Sequence, residues 1–225
     1  MSPTNRKVRP LGIDTRLAGY AAVAGATLAA PAVAKATIVY SGAVNINIPT
    51  TTAGVYLNVA TGVFSASPGS APGWDLNPWG TSTIFVYGNN STEVNNGIIS
   101  NFTGGSSATL TDNIPLGTII DGTWTYGRTN NVETTGLTAF AAGTNNLIGF
   151  RFLNNTTNQI NFGWARFQLS SPLNGQPRAI VEYAFEDTGA AILAGAIPEP
   201  STMALFSVMA AGALGVRAWR KRKVN

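Results

Sequence analysis

"NLIGFRFLNNTTNQINFGWARFQL", Asn146–Leu169, followed by "AIVEYAFE", Ala179–Glu186, decides the fold class of this chain. In the first stretch Phe150 and Phe152 flank Arg151, and Phe167 and Leu169 alternate with Arg166 and Gln168. In the second, Val181, Tyr183 and Phe185 alternate with Glu182 and Glu186. Successive side chains of an extended chain point to opposite faces, so a two-residue period rich in aromatic and β-branched residues marks half-buried strands. Phe162 and Phe167 differ in parity, which predicts a β-bulge near Gly163.

The same alternation extends toward the N-terminus. It recurs in Val44, Ile46 and Ile48, in Val55, Leu57 and Val59, and in Ile84 and Val86 set against Phe85 and Tyr87. Asparagine doublets begin at 89, 95, 130, 145 and 154. With the glycines they are expected to supply turns, since both residue types tolerate positive φ. No sustained helical period appears outside the termini, and no internal repeat is evident. The expectation is an all-β protein, an antiparallel β-sandwich of jelly-roll-like type. Its secreted domain covers 37–193, between an N-terminal signal helix and a C-terminal transmembrane helix.

Charge location excludes one class of partner. The 225 residues carry a net charge of +4, but the cations cluster at the ends. Residues 37–197 hold only Arg128, Arg151, Arg166 and Arg178 against eight carboxylates. Such a body has no basic face to neutralise phosphates, so no nucleic-acid partner is expected.

Missing residue types exclude much catalysis. The chain has no histidine and no cysteine. Imidazole bases, thiolate nucleophiles, disulfides and zinc sites built on those ligands are therefore unavailable. Glu182 and Glu186 share a strand face four residues apart, about 13 Å at ~3.3 Å per residue. That exceeds the roughly 5–9.5 Å of a glycosidase pair. Asp112 and Asp121 read as turn caps rather than calcium ligands. No enzyme activity, cofactor or metal is expected.

"PGWDLNPWG", Pro72–Gly80, is the most suggestive internal stretch. Trp74 and Trp79 offer aromatic faces to sugar rings, and Asp75 and Asn77 offer hydrogen bonds. The competing reading has the indoles filling one end of the sandwich while Asp75 fixes a turn. A lectin-like, carbohydrate-binding module is thus the alternative function.

The two ends read as addresses. Residues 1–36 combine a basic start (Arg6, Lys7, Arg9, Arg16), an apolar run over 17–33 and small residues in A-x-A spacing ending at Ala34 or Ala36. This is the pattern of a signal peptide handled by the translocon and signal peptidase. Residues 194–225 hold Pro198-Glu199-Pro200, an uncharged stretch over 201–216, and the cations Arg217, Arg220, Lys221, Arg222 and Lys223. As a helix, 201–216 spans about 24 Å at ~1.5 Å per residue, short of the ~30 Å hydrocarbon core. The basic cluster 217–223 stays cytoplasmic as a stop-transfer signal, leaving the domain outside. Prolines 198 and 200 hold the neck extended at the bilayer surface.

This three-part tail resembles the PEP-CTERM sorting signal. The resemblance implies an exosortase substrate of a Gram-negative bacterium that makes exopolysaccharide. Such a protein passes through the inner membrane on a transient C-terminal span, is processed near Pro198, Glu199 and Pro200, and ends at the cell surface or in the extracellular matrix. A structural or adhesive role in the cell envelope, biofilm or exopolysaccharide follows as an expectation. The stretch from Asn146 to Ile197 is similar to a segment preceding the tail in one group of these proteins, which implies a fold and no activity.

Overall fold

The computed structural model describes residues 37–89, 96–100, 110–132, 134 and 139–198. The expected signal helix with Ala34 and Ala36 lies outside the described residues. So do Glu199, Pro200, the expected span 201–216 and the basic cluster 217–223. Among the described residues no helix is long and apolar enough to cross a membrane.

Apart from a 3₁₀ turn at Pro68–Ser70, the regular structure described is strand. The first half holds β1 (Ile38–Tyr40), β2 (Ile46–Asn47), β3 (Tyr56–Leu57), β4 (Phe64–Ser65), β5 (Leu76–Trp79), β6 (Phe85–Gly88) and β7 (Gly97–Ile99). Next come β8 (Leu110–Thr111), β9 (Ile119–Ile120), β10 (Tyr126–Gly127) and β11 (Thr129–Val132). The chain then forms β12 (Gly143–Asn154), β13 (Gln159–Leu169), β14 (Ala179–Glu186) and β15 (Ile192–Leu193).

One sheet runs β1-β14-β13-β12-β7-β10, with β2 also on β14; a second runs β4-β3-β5-β6-β11-β8; β9 and β15 form a small ribbon. All described pairings are antiparallel except β8 with β11. An apolar cluster joins the two large sheets: Leu57, Leu76 and Val86 from one meet Phe150, Phe152, Phe167 and Ile180 from the other.

Over the middle of β12–β14 the first sheet is buried on both faces. Beyond it lies a second cluster of Ile99, Ile114, Ile120, Leu147, Phe162, Trp164 and Ile192. This corrects the reading of Phe162. Gly163 pairs in unbroken register with Phe150, and β12 with β13 runs without a shift from Asn146 to Asn154. Phe162 therefore points to the opposite face from Phe167 with no bulge at Gly163, because both faces are apolar. The irregularity sits on β14 instead. Arg166 pairs with Glu182 but Phe167 with Ile180, which leaves Val181 without a partner on β13. Its carbonyl accepts the amides of Val44 at 2.9 Å and Asn45 at 3.2 Å. The extra residue resets parity, so Ile180 joins Tyr183 and Phe185 in the core while Val181 is only half-buried.

Glycine and aromatic residues alternate across β12 and β13. Gly149 faces Trp164, and Phe150 faces Gly163. A Cβ at residue 163 would lie 2.5 Å from Phe150 Cζ and 2.6 Å from the Ala184 carbonyl oxygen. On the other face, a Cβ at residue 149 would lie 2.5 Å from Ile99 Cδ1. Each glycine thus vacates the volume that a bulky neighbour fills.

The doublet at 154 starts the β12–β13 turn, as expected of such pairs, but without a positive φ. Among the described residues the non-glycine positions with positive φ are Asn45 (48°) and Asn158 (54°), neither in a doublet. Asn158 closes the β12–β13 turn, its amide donating to the Asn154 carbonyl at 2.7 Å. Four doublet members, Asn89, Asn96, Asn146 and Asn154, are buried. Asn146 accepts from the Ala141 amide and donates to the Ala141 and Gly143 carbonyls at 2.9, 2.9 and 3.1 Å. An amide group supplies donors and an acceptor with no ionised form to desolvate, so it suits buried loop anchoring.

Candidate functional site

The site is built on the second sheet. In the β5–β6 hairpin Asn77 pairs with Tyr87 and Trp79 with Phe85, which places all four on the face turned away from the core. Ile84 and Val86 take the core side. Trp79 stacks on Phe85 with ring centroids 4.4 Å apart and planes within 11°. Trp74, in the loop before β5, lies over Tyr87 at 5.6 Å and meets Tyr56 edge-on at 5.0 Å. The Arg128 guanidinium sits 5.2 Å above the Tyr87 ring and donates from Nε to Tyr87 Oη at 2.6 Å. Two aromatic groups, both half-buried, therefore share one outer surface, with an exposed cation at one end.

The polar members of the sequence motif lie beneath this surface. Asp75 is 2% exposed. Its carboxylate accepts the Val59 amide at 2.8 Å and the Asn96 side-chain amide at 3.2 Å. Asn77 donates to the carbonyls of Ala53 at 2.9 Å and Val55 at 3.0 Å. Both are occupied in holding loops against the sheet. What the motif leaves for solvent is Trp74 and Trp79, neither of them in the core. Tyr56, Phe85, Tyr87 and Arg128 were not singled out from the sequence. The signal was present in "IFVY", whose solvent-facing positions Phe85 and Tyr87 are both aromatic.

Beside the Trp74 loop, a cleft of about 270 Å³ is lined by Asn58, Thr61, Asp75, Asn154, Asn155 and Thr156. Asn58 shapes one wall by donating to the Pro72 and Gly73 carbonyls, both at 2.9 Å, and accepting the Thr61 amide at 2.9 Å. The rim offers neutral amides and hydroxyls, the chemistry that binds uncharged polyols.

The carboxylates considered for catalysis have local partners. Glu182 accepts from Arg166 Nε at 2.7 Å and from the Tyr40 hydroxyl. Burial alone raises its pKa, but the bonds from Tyr40 and Arg166 outweigh burial and hold it below the usual glutamate range. Glu186, expected on an outward face, is 1% exposed because the second apolar layer covers that face. It accepts the Thr188 amide at 2.9 Å, the Thr188 hydroxyl at 2.6 Å and the Ala190 amide at 2.5 Å. Asp121 accepts the Thr123 hydroxyl at 2.6 Å and amide at 2.9 Å, which lower its pKa. Among the described residues no group of three or more carboxylates is placed to hold a metal ion.

Of the sorting motif, Pro198 is described and lies exposed at the end of the body. The last backbone anchors before it are the Trp164 Nε1–H bond to the Ala196 carbonyl at 3.0 Å and the Ala196 amide bond to Leu193 at 2.9 Å. Compared with protein-family models, curated proteins and solved structures, the chain matches none.

Proposed function

We propose that this chain is an exported, non-catalytic protein of the cell surface or extracellular matrix, delivered through its Pro-Glu-Pro tail. In that setting its two-sheet body, a jelly-roll-like sandwich, serves a structural or adhesive role among exopolysaccharides. The observation that carries the reading is the order of the tail: Pro198-Glu199-Pro200, an uncharged stretch, then five cations by residue 223. The body supports it, since packed structure continues to Ala196 and gives way to exposed chain at Ile197 and Pro198. A sorting protease needs its substrate extended, and a proline on either side of residue 199 favours that backbone geometry.

Intact-mass measurement of protein from the medium or envelope, with and without the sorting enzyme, tests this. The expected product begins after Ala34 or Ala36 and ends near Pro198. Full-length chain in the cytoplasm would reject the proposal.

A second reading rests on the outer face of the second sheet, where Trp74, Tyr87 and Arg128 lie together. It makes the body a carbohydrate-binding module with the aromatic rings as its platform. Binding to a panel of bacterial exopolysaccharides, weakened on Trp74→Ala, is the expected result; unchanged binding would remove the platform from consideration.

A further inference from the structure

Four aliphatic side chains stand in solvent where the described body ends. Leu116, Ile119, Leu193 and Ile197 are 70%, 55%, 49% and 53% exposed. Ile119 and Leu193 are direct cross-strand partners in the β9–β15 ribbon, so they share its outer side, while Ile120 and Ile192 face the second apolar cluster. The turn before β9 brings Leu116 over Gly195, where a Cβ would lie 2.2 Å from Leu116 Cδ1. Backbone bonds fix the turn: Gly117 donates to Ala194 at 2.9 Å, and Ala194 donates to Thr118 at 2.8 Å. Neither 113–120 nor 190–198 contains a charged residue. Single exposed aliphatics are ordinary, but four within one ribbon and the uncharged segments flanking it mark an interaction surface.

The chain that follows says what covers it. If 201–216 enters a bilayer, only residues 198–200 separate Ile197 from the span. Four Cα steps reach at most about 14 Å, comparable to the interfacial zone outside the hydrocarbon core. The ribbon is then tethered within reach of the lipid surface; its own residues are uncharged, and the ionised neighbours Arg166, beside Leu116, and Asp121, after Ile120, are held by Glu182 and Thr123. We infer that Leu116, Ile119, Leu193 and Ile197 form a membrane-docking surface that seats the body on the outer leaflet of the bilayer its own tail enters. This inference rests on the proposed reading of the tail and adds an orientation to it. Docking presents the Pro198-Glu199-Pro200 neck at a fixed height above the bilayer.

The chain has no cysteine, so a single introduced thiol labels one site cleanly. Full-length protein carrying Leu116→Cys or Thr81→Cys, each with an environment-sensitive fluorophore, is reconstituted in phosphatidylethanolamine–phosphatidylglycerol vesicles. Both positions are exposed, and Thr81 lies on a loop of the other large sheet. A lipid-borne quencher should quench the label at 116 severalfold more than the label at 81, and aqueous iodide should show the reverse. Release of the chain by alkaline carbonate would overturn the tail reading and the inference together. A chain that resists extraction but shows equal quenching at both sites would overturn docking alone. Protection of residue 116 from iodide without lipid quenching would also overturn it, pointing to a protein occupant such as a second copy.

Discussion

Arg178 Nη2 lies 2.6 Å from the carbonyl oxygen of Gly80, a residue 98 positions earlier and just beyond the end of β5. The same guanidinium donates from Nε to the Ile48 carbonyl at 2.9 Å and from Nη2 to the Pro49 carbonyl at 2.5 Å. Arg178 is fully buried and directly precedes β14, so it joins the segment after β2 in one large sheet to the end of β5 in the other through backbone oxygens. A planar guanidinium can address several carbonyls at once, whereas an ammonium presents a compact charge.

Arg178→Ala strips charged donors from buried carbonyls, and each unmade bond of this kind costs about 1–3 kcal/mol. The expected loss of stability is about 3 kcal/mol or more, read as a lower urea midpoint with unchanged slope. Arg178→Lys should fall between that variant and the parent. A midpoint unchanged in Arg178→Ala would show that the clamp contributes nothing.

Glu182 sets an acid limit to stability. Its folded pKa lies below the unfolded value because the bonds from Tyr40 and Arg166 outweigh burial. The stabilisation is therefore complete above the ordinary glutamate pKa of about 4.3 and disappears as pH falls through the depressed folded value. Tyr40 has the opposite sense. Its hydrogen bond to Glu182, with burial, raises its pKa, so its share is present below the ordinary tyrosine range and is lost as pH climbs through the raised value. Glu182→Gln should flatten the acid side of a stability–pH profile. An acid limb as steep as the parent's would contradict this.

Trp74→Ala and Asp75→Asn should separate binding from folding. An aromatic contact contributes roughly 0.5–1.5 kcal/mol beyond its buried area, about a twofold to tenfold change in affinity. On the proposed carbohydrate-binding reading, Trp74→Ala should weaken retention on exopolysaccharide by that factor with a small change in melting temperature. Asp75→Asn should lower the melting temperature, because the Val59 amide loses a charged acceptor, and leave retention per folded molecule unchanged. Isothermal titration paired with calorimetric melting distinguishes the two.

Gly163→Ala should be costly although it adds one methyl group. The new carbon meets the Ala184 backbone oxygen at 2.6 Å, which no side-chain rotation can relieve. Overpacking of this kind costs about 1–3 kcal/mol. Gly69→Ala, where nothing lies within 4 Å, is the matched control and should stay within about 0.5 kcal/mol of the parent. Equal denaturation midpoints for the two variants would remove the steric account.

Strands with one wet face were legible in the sequence. Val55, Leu57 and Val59 are all buried, as are Ile84 and Val86, because alternation survives where only one face is dry. Strands β12–β14 were legible as strands, but not the destinations of their side chains. With both faces covered, Phe162 and Phe167 are both core residues, and parity ceases to report inside and outside. The bulge at Val181 depends on β2 and its flanking residues, more than 130 positions away, and leaves no local mark. At the candidate site the indoles were legible and the aromatic surface was not. Tyr56, Trp74 and Tyr87 meet through pairings among β3, β5 and β6 that no spacing rule encodes.

The buried asparagines set how this body responds to its surroundings. Asn58, Asn77 and Asn146 fix loops with uncharged amides, and one ion pair, Arg166 with Glu182, is formed among the described residues. Mobile ions screen charges over a Debye length of about 10 Å at 0.1 M, but they have little hold on a buried neutral dipole. A rise in salt concentration should therefore leave the loops in place, so ionic strength is a variable this architecture largely ignores.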